Sequence, residues 1–204
     1  MLNHKYKSIF IHINKCGGTS IDQAFNGKHC RHRPITFYRD YASDVFNSYF
    51  KFTLVRNPWD KMLSFYLWQK KNNWVLNWGW DNTNAPDFNK FIEIVNSFDY
   101  ERMLEVYDNR AGFVGTEHMR MSNQLDWITD EDGNILVDYI GRFENYGKEF
   151  NFISNKVGLK LKDYPHYNKT EHKHYTHYYN DLSVDIISER FSKDIEYFGY
   201  QFGD

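Results

Sequence analysis

Between Ile9 and Ser20 the chain reads IFIHINKCGGTS, an apolar run that breaks into a lysine, two adjacent glycines and two hydroxyls. Ile9, Phe10, Ile11 and Ile13 around a single His12 suit a buried strand over residues 8–13, and Thr19 or Ser20 can open a helix over 19–26. Where glycines join a strand to a helix, backbone N–H groups and the positive end of the helix dipole point at one place, which is where an anion is most stable. Gly17 and Gly18 let the backbone come close, Thr19 and Ser20 add hydroxyl donors, and Lys15 adds a full charge. The common triphosphate loop places its lysine directly after the last glycine. Here Lys15 precedes Gly17, which argues against an ordinary ATPase and not against a phosphate. A tight turn with no ligand is the plain alternative for this segment alone.

The rest of the chain alternates strands and helices. KFTLVR at 51–56 reads as a second strand, and a helix follows at once, with Asn57 as N-cap, Pro58 in the first helical position and Asp60 in the first turn. Residues 87–97 read as a further helix. LVDYIGR at 136–142 reads as a third strand after the turn-like DEDG at 130–133. Val184, Ile187, Phe191, Ile195 and Phe198 recur at three- and four-residue steps, predicting one last helix that Gly199 terminates. Strands separated by helices predict an α/β fold with a mainly parallel sheet, and 204 residues without an internal repeat fit a single domain over 1–204.

Arg56 falls at the carboxyl end of the second strand, where open α/β sheets bind ligands, and Ser64 follows about two helical turns later. A guanidinium matches a phosphate bidentately, although an ion pair with Asp60 would also explain the arginine. With 25 Lys+Arg against 27 Asp+Glu the net charge is −2, so broad attraction to nucleic acid or anionic lipid is excluded and any anion is held by cations gathered locally. Two anion sites on neighbouring strand ends suggest one ligand with phosphates at both ends.

At this point a family resemblance becomes specific. FIHINKCGGTS resembles the 5′-phosphosulfate loop, and FTLVRNPWDKMLSFY the 3′-phosphate loop, of sulfotransferases that use 3′-phosphoadenosine 5′-phosphosulfate (PAPS). The resemblance continues through QLDWITDEDGNILVDYIGRFENY at 124–146 and YYNDLSVDIISERFSKDIEYFGYQF at 178–202, as in the branch with many carbohydrate sulfotransferases, here a soluble bacterial-type member. Asn14 and Cys16 stand where the family pattern has proline and threonine.

The resemblance implies a P-loop-like three-layer fold, its central, mainly parallel sheet flanked by helices, and in-line transfer of a sulfuryl group from PAPS to an acceptor hydroxyl, less readily an amine. The products are a sulfated acceptor, expected to be an oligosaccharide or polysaccharide, and 3′,5′-ADP (PAP). Carried over, Lys15 neutralises charge growing on the bridging oxygen. Cys16, Gly17, Gly18, Thr19 and Ser20 hold the 5′-phosphate, Arg56 and Ser64 grip the 3′-phosphate, and no metal is expected. His32 in HCRHRPITFYRDY is the candidate base, with His29 in reserve, whereas His12 among isoleucines reads as a core residue. Lys169, Lys173 and Tyr175 lie in a late loop where relatives cover the nucleotide, and Lys173 is taken as a cofactor contact. Arg142 and Glu144 lie near the cofactor by resemblance, or form a buried pair at the sheet end.

Other classes remain to be weighed. His166, His172, His174 and His177 could surround a metal ion, although no acidic or cysteine ligand stands at diagnostic spacing. A nucleotide kinase would need magnesium-dependent ATP binding, and a degenerate chain would bind PAP without transfer. Trp74, Trp78 and Trp80 could form a wall for sugar rings or pack in a core. Two cysteines without a CxxC spacing suit a reducing cytoplasm, and the sequence carries no long apolar run or signal peptide, so no membrane span is expected.

Overall fold

Parallel pairing of two short apolar segments builds the centre of the molecule. In a computed structural model, which describes residues 1–26, 32–73, 80–97, 121–160 and 172–204, strand β2 (Ser8–Ile11) pairs in parallel with β3 (Phe50–Val55), and β3 with β4 (Tyr139–Arg142). A two-residue strand β1 (Leu2–Asn3) adds antiparallel to β2, giving the order β1-β2-β3-β4 among the described residues. This is the mainly parallel α/β architecture expected from the sequence. The third strand is shorter than the 136–142 expected, because pairing with β3 begins only at the Phe52 and Tyr139 register.

Two compact units divide the chain, one of Met1–Arg56 with Gln124–Lys169 and one of Asn57–Asn123 with Thr170–Asp204. In the first, the sheet interior is mainly apolar. Ile9, Phe10, Ile11, Phe52, Leu54 and Val55 are buried, Phe10 stacks on Phe52 at 5.1 Å, and the Thr53 hydroxyl donates to the Ile11 carbonyl. Helix α1 (Gly18–Asn26) follows β2, with α2 (Ile35–Tyr41) and α3 (Ser43–Phe46) before β3. Helix α6 (Tyr146–Val157) leaves β4 and buries Phe150 and Ile153. Gly141 is required within β4, where an added Cβ would stand 2.6 Å from Leu54.

The second unit is helical. Helix α4 (Pro58–Lys71) starts as the sequence predicts: the Asn57 side chain accepts from the main-chain N–H groups of Trp59 and Asp60, and Pro58 occupies the first turn. Helix α5 (Phe88–Asn96) is capped by Asp87, and its Phe88 and Phe91 pack on Tyr66 with centroids 5.3 Å apart in each pair. The expected single last helix is two, α7 (Asp181–Arg190) and α8 (Ser192–Phe198), hinged at the fully buried Phe191 and ended by Gly199 in a left-handed conformation. No helix among the described residues is long and apolar enough to cross a membrane.

Candidate active site

Three parallel strands end at the same edge of the first unit, so the segments leaving β2, β3 and β4 are neighbours there. The segment after β2 carries two left-handed residues, Lys15 with φ 67° and Gly17 with φ 78°. A lysine at such an angle costs about 1–3 kcal/mol, a strain typical of functional loops. Gly17 also meets a wall: an added Cβ would lie 2.9 Å from the Phe143 ring and 3.2 Å from Tyr146. At Gly18, the first residue of α1, an added Cβ would lie 2.1 Å from the His12 ring. Both glycines are therefore fixed by shape before any ligand is considered.

His12 is buried in the core, as the sequence suggested. Its Nδ1 lies 2.9 Å from a carboxylate oxygen of the fully buried Asp22, one turn along α1 from Gly18. The glycine loop thus rests on an imidazole that the helix itself holds in place. Ser20 is buried, and its main-chain N–H donates to the Gly17 carbonyl at 3.2 Å. Beside it, burial pushes the Tyr146 phenol up to about 12, with the Ser20 hydroxyl pulling the other way.

Arg56 follows directly on β3 in the same unit. Its Nη1 donates to the Lys15 carbonyl at 3.0 Å, and its guanidinium stacks over Phe143, 4.2 Å from the ring centroid. The arginine of one predicted anion loop therefore touches the lysine residue of the other. Buried Cys16 donates its thiol to the side-chain oxygen of Gln124 at 3.1 Å, with the Asn14 carbonyl at 3.4 Å.

His32 is half-buried and approaches the same loop from the segment before α2. Its ring lies edge-on to His12 with centroids 4.3 Å apart, and its Nδ1 is 2.8 Å from the His12 carbonyl. A carbonyl can only accept, so Nδ1 carries the hydrogen and the basic lone pair of the neutral ring is on Nε2.

Ser64 is half-buried in α4 of the second unit, where Lys173 is exposed. Tyr175 is a buried core residue there: its hydroxyl receives the main-chain N–H of Gly203 and the side-chain amide of Asn57, and its ring packs on Phe202. Arg142 is half-buried and Glu144 exposed. His29, Trp74, Trp78, His166 and Lys169 lie outside the described residues, whereas Trp80 is half-buried with its ring 6.3 Å from Phe91. Of the histidine group, His172, His174 and His177 are exposed; among the described residues no set of three His, Cys, Asp or Glu is arranged to hold a metal ion. Sequence reasoning overlooked Asp22, Gln124, Phe143 and Tyr146. Only Asp22 carried a local sign, one helical turn beyond Gly18.

Searches of curated proteins and of solved structures gave no match. The model of the Sulfotransferase family matches residues 1–201, nearly the whole chain. With that match the chain belongs to the Sulfotransferase family, enzymes of sulfuryl transfer.

Proposed function

We propose that the protein transfers the sulfuryl group of PAPS to a hydroxyl of a glycan acceptor and releases PAP, with residues 1–204 acting as one catalytic domain. The observation that carries this reading is the meeting of Arg56 with the Lys15 carbonyl, which gathers two cationic residues on adjacent strand ends in a chain of this family. Main-chain N–H groups at the start of α1, the hydroxyls of Thr19 and Ser20 and the charge of Lys15 hold the 5′-phosphosulfate. Arg56 is assigned to the 3′-phosphate, with Ser64 and Lys173 as further candidates for the nucleotide by resemblance.

In the transfer, His32 Nε2 takes the proton of the acceptor hydroxyl while that oxygen forms a bond to sulfur. The bond from sulfur to the bridging oxygen breaks, and its electron pair stays on the 5′-phosphate of PAP. Charge grows on that phosphate, so a preorganised lysine and backbone donors beside it lower the barrier. Lys15 and the helix start supply the positive charge, and the scheme requires no metal. The glycan class of the acceptor follows the carbohydrate-sulfotransferase resemblance of residues 124–146 and 178–202. A cytoplasmic location suits Cys16, a buried thiol in no disulfide among the described residues.

Calorimetric titration with PAP, and separately with ATP plus magnesium, tests the donor. Metal-free PAP binding without an ATP response is the expected result, to be followed by a screen of glycan acceptors with radiolabelled PAPS. Magnesium-dependent ATP binding without PAP binding would overturn the reading in favour of a kinase.

A further inference from the structure

The geometry points to Gln124 as a positioning residue that locks the two anion loops into one register; the inference rests on the donor reading above. Gln124 is fully buried, immediately before the short 3₁₀ turn Leu125–Trp127. Its Oε1 accepts the main-chain N–H of Arg56 at 2.8 Å, and its Nε2 donates to the main-chain carbonyl of Arg56, also at 2.8 Å. One side-chain amide thus satisfies both backbone groups of one residue, as a neighbouring strand would, just where β3 has run out of partners. The same Oε1 also accepts the Cys16 thiol at 3.1 Å. From there the connection closes on itself, since the Arg56 guanidinium returns to the Lys15 carbonyl at 3.0 Å.

The chemistry selects glutamine. A primary amide is the side chain that presents an acceptor and a donor together at this reach. Glutamate keeps the acceptor and sets a second oxygen against the Arg56 carbonyl, whereas leucine fills the volume and leaves both main-chain groups of Arg56 without this partner. Gln124 reaches no reacting atom in the proposed scheme. It holds the Arg56 backbone, and with it the guanidinium, at a fixed height above Cys16 and Lys15. Loss of the clip therefore lets the two phosphate grips drift independently, and a ligand with phosphates at both ends is the molecule that detects such drift.

The test compares Gln124→Glu and Gln124→Leu with the parent full-length protein, well below the melting temperature of each. One readout is the affinity for PAP by calorimetry. The other is the rate at which Cys16 is alkylated in the folded protein, followed by the mass of its peptide, since a buried thiol reacts only when its loop opens. Expected are PAP binding weakened about tenfold or more, the size of an unsatisfied buried polar group, and alkylation accelerated about as much. A role confined to global stability would lower the melting temperature and leave both readouts at parental values, and that result overturns the proposal. If the leucine variant does not fold, the glutamate variant decides by the same criteria. If the parent protein fails to bind PAP, the donor reading falls and alkylation decides the clip alone: acceleration supports it and an unchanged rate overturns it.

Discussion

Arg56 Nη1 donates to the main-chain carbonyl of Lys15 at 3.0 Å, so the arginine that follows one strand is bound to the lysine that follows its parallel neighbour. A planar guanidinium can make this bond while its face rests on Phe143. Arg56→Ala is expected to weaken PAP binding by about 2 kcal/mol or more, roughly 30-fold. Arg56→Lys should recover little of it, because an ammonium neither stacks as a plane nor forks. Calorimetric titration of both variants checks this; a fully restored affinity in the lysine variant would reduce Arg56 to a point charge.

Lys15 holds a left-handed backbone that glycine adopts without penalty. Lys15→Ala and Lys15→Gly should lose sulfuryl transfer equally, while the glycine variant is more stable than the alanine variant by about 1 kcal/mol. Denaturant midpoints beside PAPS turnover separate strain from chemistry. Equal stability of the two variants would show that the loop relaxes out of its left-handed turn.

Gly18→Ala drives a methyl to within 2.1 Å of the His12 ring, and the buried His12 and Asp22 pair gives that ring no easy retreat. Overpacking of this kind is expected to cost about 2 kcal/mol or more. His12→Ala in the same background should recover part of that loss, although alone it destabilises by leaving Asp22 buried without its partner. The double-mutant cycle gives the coupling, and strict additivity would mean that the helix start slides rather than clashes.

His32→Asn keeps a donor for the His12 carbonyl and removes the base. Transfer should fall by about 10² to 10⁴-fold, with PAP affinity within about twofold of the parent. Undiminished turnover would move the base elsewhere, His29 first.

Asn57 accepts two main-chain N–H groups at the start of α4, while its amide nitrogen donates to the Tyr175 hydroxyl and to the Gln201 carbonyl. Asn57→Ala is expected to destabilise the protein by about 2 kcal/mol, above the usual cost of a lost cap, because the buried partners are stranded as well. Thermal melting measures it.

The features legible in the sequence are those set within a few residues. Asn57 before Pro58 declares a helix start, and Gly17 and Gly18 after an isoleucine-rich strand declare a turn into a helix. The hinge at Phe191 escapes periodicity because Ile187, Phe191 and Ile195 keep their four-residue steps through it. Their main chain also keeps its helical hydrogen bonds, Phe191 N–H to Ile187 and Ile195 N–H to Phe191, each at 3.0 Å. Strand β1 is too short to carry an alternation. Long-range pairings were beyond reach for another reason: nothing near Gln124 signals that its amide will serve Arg56, 68 positions away. The candidate loops could thus be named from local chemistry, while the contacts that hold them depend on closure of the sheet.

That same closure sets what the chain between the two residues is free to become. Entry to segment 57–123 follows Arg56 and exit from it precedes Gln124, and those two residues are held at hydrogen-bond distance. For a chain whose two ends are pinned together in this way, added length raises the closure cost only logarithmically. Residues added between α4 and α5 therefore leave the pinned ends and the turn after β2 little disturbed, a division of labour between a fixed frame and an extensible excursion.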